Sequence, residues 1–402
     1  MLVKKFYGWY VMLVVTLMEA ASHIGHSAAF SPFLEQLSQS LNISKNTIST
    51  AYTAANLITG LLLPFIGNLF DHLSGRIFCS GLVIAFGALF FTLGSSQFIV
   101  IHMGISAGLV LFICFAGVRT CTRGFSVLTR SITAMWFDKN LKWAASLSGV
   151  LLAIIASIVP WFVYRLSQLF SQQHLWHAEG ILFILLFLPF CLSIRKNKDR
   201  TLPSKCACKT DFTFLKKYVF WAFSFALFIQ ALQNTGLAFH LVHLCNSMQI
   251  NPEKILKSFM PISIISLFIC ILSNHAFNRV GPKKIFYCFC CNNIALICSL
   301  LFLNQASMQF LFIITCGINW GMIHTLLYMT WPYLFGHRSI GTVNGIAVGF
   351  INVGSALGPL FFSYTQSAYS YQALFYILLV ATSIALLGIK CAKVSPFNTT
   401  SA

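Results

Sequence analysis

Glu19, His23 and His26 stand at positions i, i+4 and i+7, on one face of any helix that carries them. A carboxylate beside two imidazoles is a set that can take up and pass on protons near neutral pH. Arg119, Arg123 and Arg130 share a helical face in the same way, at offsets of 0, 4 and 11. A guanidinium is a forked donor suited to a carboxylate or phosphate. A third set is neutral: Gln230, Gln233, Asn234, His240 and His243 in one stretch, and Asn319, His324 and Tyr328 in another. These side chains can hydrogen-bond a polar solute. All three sets lie inside long apolar runs, where a charge costs at least about 2.5 kcal/mol unless it meets a partner or a water-filled cavity.

The elements that must position them follow from composition. The chain has 402 residues, 57% hydrophobic and only 8% charged, with a mean hydropathy of +0.80. Runs of the length a helix needs to cross a bilayer recur end to end. Twelve spans are expected, near 6–30, 47–69, 77–97, 100–130, 142–165, 176–194, 216–244, 255–276, 284–304, 307–333, 339–363 and 371–390. The first run is too long and too polar for a cleavable signal peptide. Of the eight acidic residues, only Glu19 falls in a span interior; Glu35, Asp71, Asp138, Glu179, Asp199, Asp211 and Glu253 are expected in loops or at helix ends.

The net charge of +18 follows topology. With the N-terminus inside, nineteen Lys and Arg fall on the cytoplasmic side, among them Lys4, Lys5, Arg76 and the cluster in 195–217. Only Lys45, Arg165, Lys254 and Lys257 fall on the other. That bias places both termini in the cytoplasm and leaves no need for a nucleic-acid partner. The fourteen cysteines are scattered through the spans as small packing residues, and the lone Cys206-Ala-Cys208 is a weak metal signal.

The basic stretch Arg195–Lys217 separates six spans from six. Domains are expected at 1–194 and 216–402, with a cytoplasmic linker at 195–215. A glycine-containing basic turn follows the second span, at Gly67 to Arg76, and recurs after the eighth as Asn278-Arg279-Val280-Gly281-Pro282-Lys283-Lys284. Such a recurrence marks an internal repeat, whose two halves usually form a solute site at their interface.

Gly67-x-x-x-Asp71-x-x-x-Gly75-Arg76 resembles the loop between helices two and three of the major facilitator superfamily. His72 and Ile77 stand where that family usually has basic residues. Arg119-x-x-x-x-Gly124 is similar to its fourth-helix motif, and Trp136-Phe137-Asp138-Lys139 with Ala144, Ala145 and Gly149 to its helix four–five loop. Tyr7-Gly8-Trp9 and Leu357-Gly358-Pro359 resemble the monocarboxylate and oxalate–formate branch. The eighth-helix Asp/Arg pair of animal monocarboxylate carriers has no counterpart in Pro261–Phe277, nor has the fifth-helix motif of drug/proton antiporters in Gly149–Pro160.

The resemblance implies an all-helical membrane protein of two six-helix bundles that moves a solute by alternating access. It places helices one, four, seven and ten around the cavity, and assigns Asp71, Gly75 and Arg76 to gating. With the residue chemistry it nominates Glu19 and His23 for proton coupling, and Arg119, Arg123, Gln233, Asn234, Asn319, His324 and Tyr328 for the solute. Each has a structural alternative. Glu19 could form a buried ion pair with Arg119 or a histidine, Arg123 and Arg130 could snorkel, and the amides could join helices.

The expected solute is a small organic anion, such as a monocarboxylate, or an amino acid. Its partners are the proton and the lipid bilayer, with no cofactor, no metal and no enzymatic activity, in a monomer of a bacterial inner membrane. No phosphate-binding loop occurs. A sensor on a transporter fold and an exporter of a larger metabolite are the alternatives.

Overall fold

Ser44, Ser74, Ser106, Ser171 and Ser370 each stand one residue ahead of a long apolar run. Each hydroxyl accepts a backbone N–H three residues on, as in Ser44 Oγ with Thr47 N at 3.1 Å and Ser74 Oγ with Ile77 N at 3.2 Å. These caps satisfy donors that a helix start leaves open and so set where the runs begin. The computed structural model describes residues 2–137, 141–192, 213–336 and 340–394. Asp138 and Lys139 and most of the linker, with Cys206 and Cys208, lie outside the described residues, as does the side chain of Asp71.

The twelve long helices are α1 (Leu2–Ala21), α2 (Lys45–His72), α3 (Gly75–Gly94), α4 (Ala107–Trp136), α5 (Leu141–Leu169), α6 (Gln172–Cys191), α7 (Tyr218–Ser247), α8 and α9, α10 (Ala306–Phe335), α11 (Ile340–Ala368) and α12 (Tyr371–Cys391). Helices α8 and α9 are the two parts of Phe259–Leu301, which turns at Gly281 with φ 78° and ψ 168°. That φ suits glycine, and Pro282 then opens α9 at a position where its missing N–H costs nothing. The described residues contain no strand. Ten of the helices, α3 to α12, are long and apolar enough to cross a bilayer by length and composition. The molecule is an all-α, multi-pass membrane protein.

The chain divides into two compact units, Met1–Pro203 and Ser204–Ala402, with six long helices in each. In the first unit α1 is tied to α4 by Thr129 Oγ1 on Val15 O, 3.1 Å, and to α5 by Thr16 Oγ1 and Ser148 Oγ, 2.9 Å. Helices α3 and α6 cross so closely at Gly87 and Gly180 that a Cβ on Gly180 would stand 2.5 Å from Gly87 O. In the second unit α7 and α11 do the same at Gly236 and Gly358, where a Cβ on Gly358 would lie 2.4 Å from Leu232 O. Small residues let backbones approach where no hydrophobic drive exists between helices in lipid.

Two expectations are corrected. The span expected to run unbroken over 6–30 is not one helix: α1 ends at Ala21, and a 3-10 turn Ser22–Gly25 and a short helix Ser27–Phe30 follow. Gly25 sits against α4, where a Cβ would meet Val118 Cγ1 at 2.6 Å. Glu179, expected near a helix end, lies two turns inside α6, because Ser171 starts that helix earlier than its hydropathy alone suggests.

Candidate functional site

In the first unit the break after α1 gathers the ionisable groups. Glu19 lies in the last turn of α1 and is 8% exposed. Its Oε2 is buried with no hydrogen-bond partner. The carbonyl of Glu19 is well used: Ser22 Oγ donates to it at 2.7 Å and His23 Nδ1 at 3.0 Å. A carbonyl can only accept, so Nδ1 of His23 carries the proton in this arrangement. His26 follows in extended backbone, φ −87° and ψ 159°, and its ring stacks on His23 with centroids 4.3 Å apart and planes 4° from parallel. The helix break is what allows this. On a straight helix, residues three apart splay by about 60°.

Arg119, in mid-α4, is 6% exposed. Its Nε donates to Asn56 Oδ1 on α2 at 2.8 Å, and Asn56 Nδ2 in turn donates to Tyr52 O at 3.0 Å. The guanidinium carbon stands 5.9 Å from the Tyr52 ring centroid. Tyr52, fully buried, is wedged edge-on against Phe115 at 5.3 Å. Asn56 and Tyr52 thus orient the arginine through one side of its fork. Arg119 and Glu19 do not form an ion pair with each other, unlike Lys45–Glu35, 2.5 Å, and Lys257–Glu253, 2.9 Å. Arg119 is nonetheless within electrostatic reach of both His23 and His26. Arg123 is half-buried, one turn on; Arg130 is exposed.

The second unit carries amides and rings instead. Asn293 Nδ2 on α9 donates to Gln233 Oε1 on α7 at 3.1 Å and to Thr382 Oγ1 on α12 at 3.2 Å. Asn319 Nδ2 on α10 donates to Asn293 Oδ1 at 2.7 Å. Gln233 and Asn319 therefore sit in one buried network that joins four helices, with Asn319 Oδ1 left without a partner. Asn234 faces differently. It is half-buried and accepts from Trp320 Nε1 on α10 at 2.9 Å. Trp320, His324 and Tyr328 follow at i, i+4 and i+8, half-buried, exposed and 69% exposed. They form one aromatic stripe, against which Phe259 packs at 5.7 Å from Trp320.

Of the residues that the family resemblance nominates at the turn between α2 and α3, Gly75 is buried in the first turn of α3 and Arg76 is exposed beside it. In the matching turn of the second unit, Lys283 Nζ donates to Lys390 O at 2.9 Å and Ala392 O at 2.8 Å, closing the end of α12. Sequence reasoning missed Asn56, Tyr52, Asn293 and Trp320. Tyr52 and Asn56 carried a signal, being polar groups at i, i+4 inside a span; Trp320 carried none. No group of three His, Cys, Asp or Glu among the described residues comes together to hold a metal.

A model of the Major Facilitator Superfamily matches residues 15–359. Among solved structures, the chain is similar to a bacterial homologue of the human lysosomal transporter Spinster. The inward-facing, occupied form aligns with a TM-score of 0.75 and 15% identity, over 95% of this chain and 96% of that one. The inward-facing, unoccupied form aligns with a TM-score of 0.69 and 14% identity, over 95% and 93%. At that identity the likeness speaks for the fold. No curated protein matches by sequence.

Proposed function

Because the chain belongs to the Major Facilitator Superfamily, we propose that it is a proton-coupled secondary transporter of a small organic anion or zwitterion, such as a monocarboxylate or an amino acid. The observation that carries this reading is the break after α1. There a buried carboxylate oxygen of Glu19 has no hydrogen-bond partner, while Arg119 is held by neutral partners and by no acid. An arginine oriented by Asn56 and Tyr52 keeps its other N–H groups for a solute carboxylate. A carboxylate without a fixed partner can change its protonation without breaking a structural bond.

Glu19 and His23 handle the proton in this proposal. In the first unit Arg119 and Arg123 attract the anion; in the second, Asn234, Trp320, His324 and Tyr328 present a polar and aromatic face of their own. Gln233 and Asn319, first nominated for the solute, are better supported as the network that holds their helices in place. Asp71, Gly75 and Arg76 set the balance between states from the α2–α3 turn. The charge bias supports cytoplasmic termini, and the lean loops and short central linker support a bacterial inner membrane. Tyr7-Gly8-Trp9 and Leu357-Gly358-Pro359 support kinship with the monocarboxylate and oxalate–formate branch. Both pack where they have work to do: Trp9 lies edge-on to Phe137 at 4.6 Å, and His240 donates to Pro359 O at 3.0 Å.

The test is uptake in proteoliposomes, with a panel of monocarboxylates and amino acids screened first by thermal shift at two pH values. Glu19→Gln is expected to lose uptake driven by a pH gradient and to keep counterflow exchange. Full pH-driven uptake in Glu19→Gln would move the coupling elsewhere, to His23 first. Loss of counterflow as well would make Glu19 a solute ligand or a structural group.

A further inference from the structure

Cys79, in the second turn of α3, and Cys191, the last residue of α6, are both fully buried. Their sulfurs are 3.2 Å apart, closer than an ordinary non-bonded contact of about 3.5–4.0 Å. Cys79 Sγ also meets Met18 Sδ of α1 at 3.5 Å, and Cys191 Sγ donates to Phe187 O at 3.3 Å. No other pair of thiols among the described residues is in sulfur–sulfur contact. A disulfide needs its sulfurs at about 2.05 Å, so roughly one ångström of approach would join these two. We propose that Cys79 and Cys191 are a redox site: a small oxidant of the peroxide class converts them to a reversible disulfide that staples α3 to α6.

The chemistry balances. One sulfur attacks a peroxide oxygen as its thiol proton passes to the leaving hydroxide, the O–O bond breaks, and a sulfenic acid and water result. The second sulfur then displaces the sulfenic hydroxyl as water and forms the S–S bond. Two thiols lose two electrons and two protons, and both peroxide oxygens leave as water. A thiol reductant reverses the step by exchange.

The bond would form where the two helices are already one body. Midway along them, a Cβ on Gly87 would stand 2.4 Å from Ile184 Cγ1 and 2.6 Å from Gly180 O. At the far end Ser95 Oγ and His177 Nε2 are 2.9 Å apart, and Gln173 Nε2 donates to Gln97 Oε1 at 2.6 Å. Contacts along the whole length hold the sulfurs in register, so oxidation needs no helix to move far. The covalent link spans 112 residues of sequence, and a loop of that length loses much unfolded-state entropy when closed.

The experiment treats the full-length protein in lipid nanodiscs with hydrogen peroxide, alkylates it in denaturant, and maps the peptides by mass spectrometry. The expected result is a peptide bearing Cys79 joined to one bearing Cys191, absent after reductant and absent in Cys79→Ser and Cys191→Ala. The wild-type melting temperature should rise by a few degrees on oxidation and fall back on reduction. Two outcomes would overturn the proposal. One is that both thiols are still fully alkylated after peroxide, or carry only separate sulfinic acids. The other is a cross-link that leaves the melting temperature unchanged or lower. The oxidation arm uses the wild-type chain, so a variant that folds poorly does not affect the reading.

Discussion

The first helix of each unit has been used in opposite ways. Helix α1 stops at Ala21, and the turn after it sets His23 on the Glu19 carbonyl and stacks His26 on His23. Helix α7 runs unbroken from Tyr218 to Ser247 and spends its amides on its neighbours, through Asn293 to α9 and through Trp320 to α10. One unit leaves a buried carboxylate oxygen, Glu19 Oε2, without a partner and holds its arginine by a neutral amide; the other ties its amides to one another. Buried charge without a partner is expensive and survives where it acts. Buried amides that satisfy each other are inexpensive and stiffen a bundle. The proposed chemistry therefore falls on the first unit, and the second carries the amide network and the aromatic stripe.

The sharpest way to break this contrast is Arg119→Ala. It should lower counterflow of the solute found by screening by about 100-fold or more, the scale of losing one partner of a buried charge pair. Arg119→Lys should recover little, since an ammonium has no Nε fork to meet Asn56 Oδ1. Near-normal exchange in Arg119→Ala would move the anion site out of the first unit.

Glycines in the fifth helix of each unit compare packing directly. Gly358→Leu in α11 forces a side chain into the backbone of α7 and should abolish monodisperse protein in size-exclusion chromatography. Gly149→Ala in α5 has nothing within 4 Å of the new methyl and should leave expression and melting unchanged. Equal damage from both would mean that the first unit is as tightly closed as the second.

A smaller effect is expected from Asn293→Leu, which unhooks Gln233, Asn319 and Thr382 together. At about 0.6–1 kcal/mol per hydrogen bond in a membrane, the cost is about 2–3 kcal/mol, visible as a melting point lower by several degrees. Solute affinity should change less than twofold. A large affinity loss at unchanged stability would return the network to the solute site. The smallest effect belongs to Lys283→Met, which frees the two carbonyls at the end of α12. A helix C-terminus loses about 0.3–1 kcal/mol with its cation, so the melting point should fall by only a degree or two.

Much of the fold was legible in the residues. Hydropathy located α3 to α12 because lipid demands long runs of satisfied backbone. The turn at Gly281 was legible because only glycine takes that φ easily before a proline. Tyr7-Gly8-Trp9 and Trp136-Phe137 were singled out as separate motifs, and the structure packs one against the other, with Tyr7 and Trp136 rings 5.2 Å apart. Spacing put His23 one turn after Glu19, and the contact that forms is to the Glu19 backbone carbonyl. It could not reveal that His26 would stack on His23, since that depends on the break after Ala21, which hydropathy does not mark.

By itself the sequence determined the class of molecule, the number of its helices and the charge bias across them, because each depends on local composition weighed against lipid and water. It also nominated the few polar groups whose presence in apolar runs needs a reason. Only the tertiary structure decided what those groups do with one another. It set Arg119 on Asn56 and not on Glu19, turned Gln233 and Asn319 into a network through Asn293, and left Asn234 with Trp320 on an open face. A side chain's partner is chosen by which helix arrives beside it and at what angle, and that is a property of packing between segments far apart in the chain.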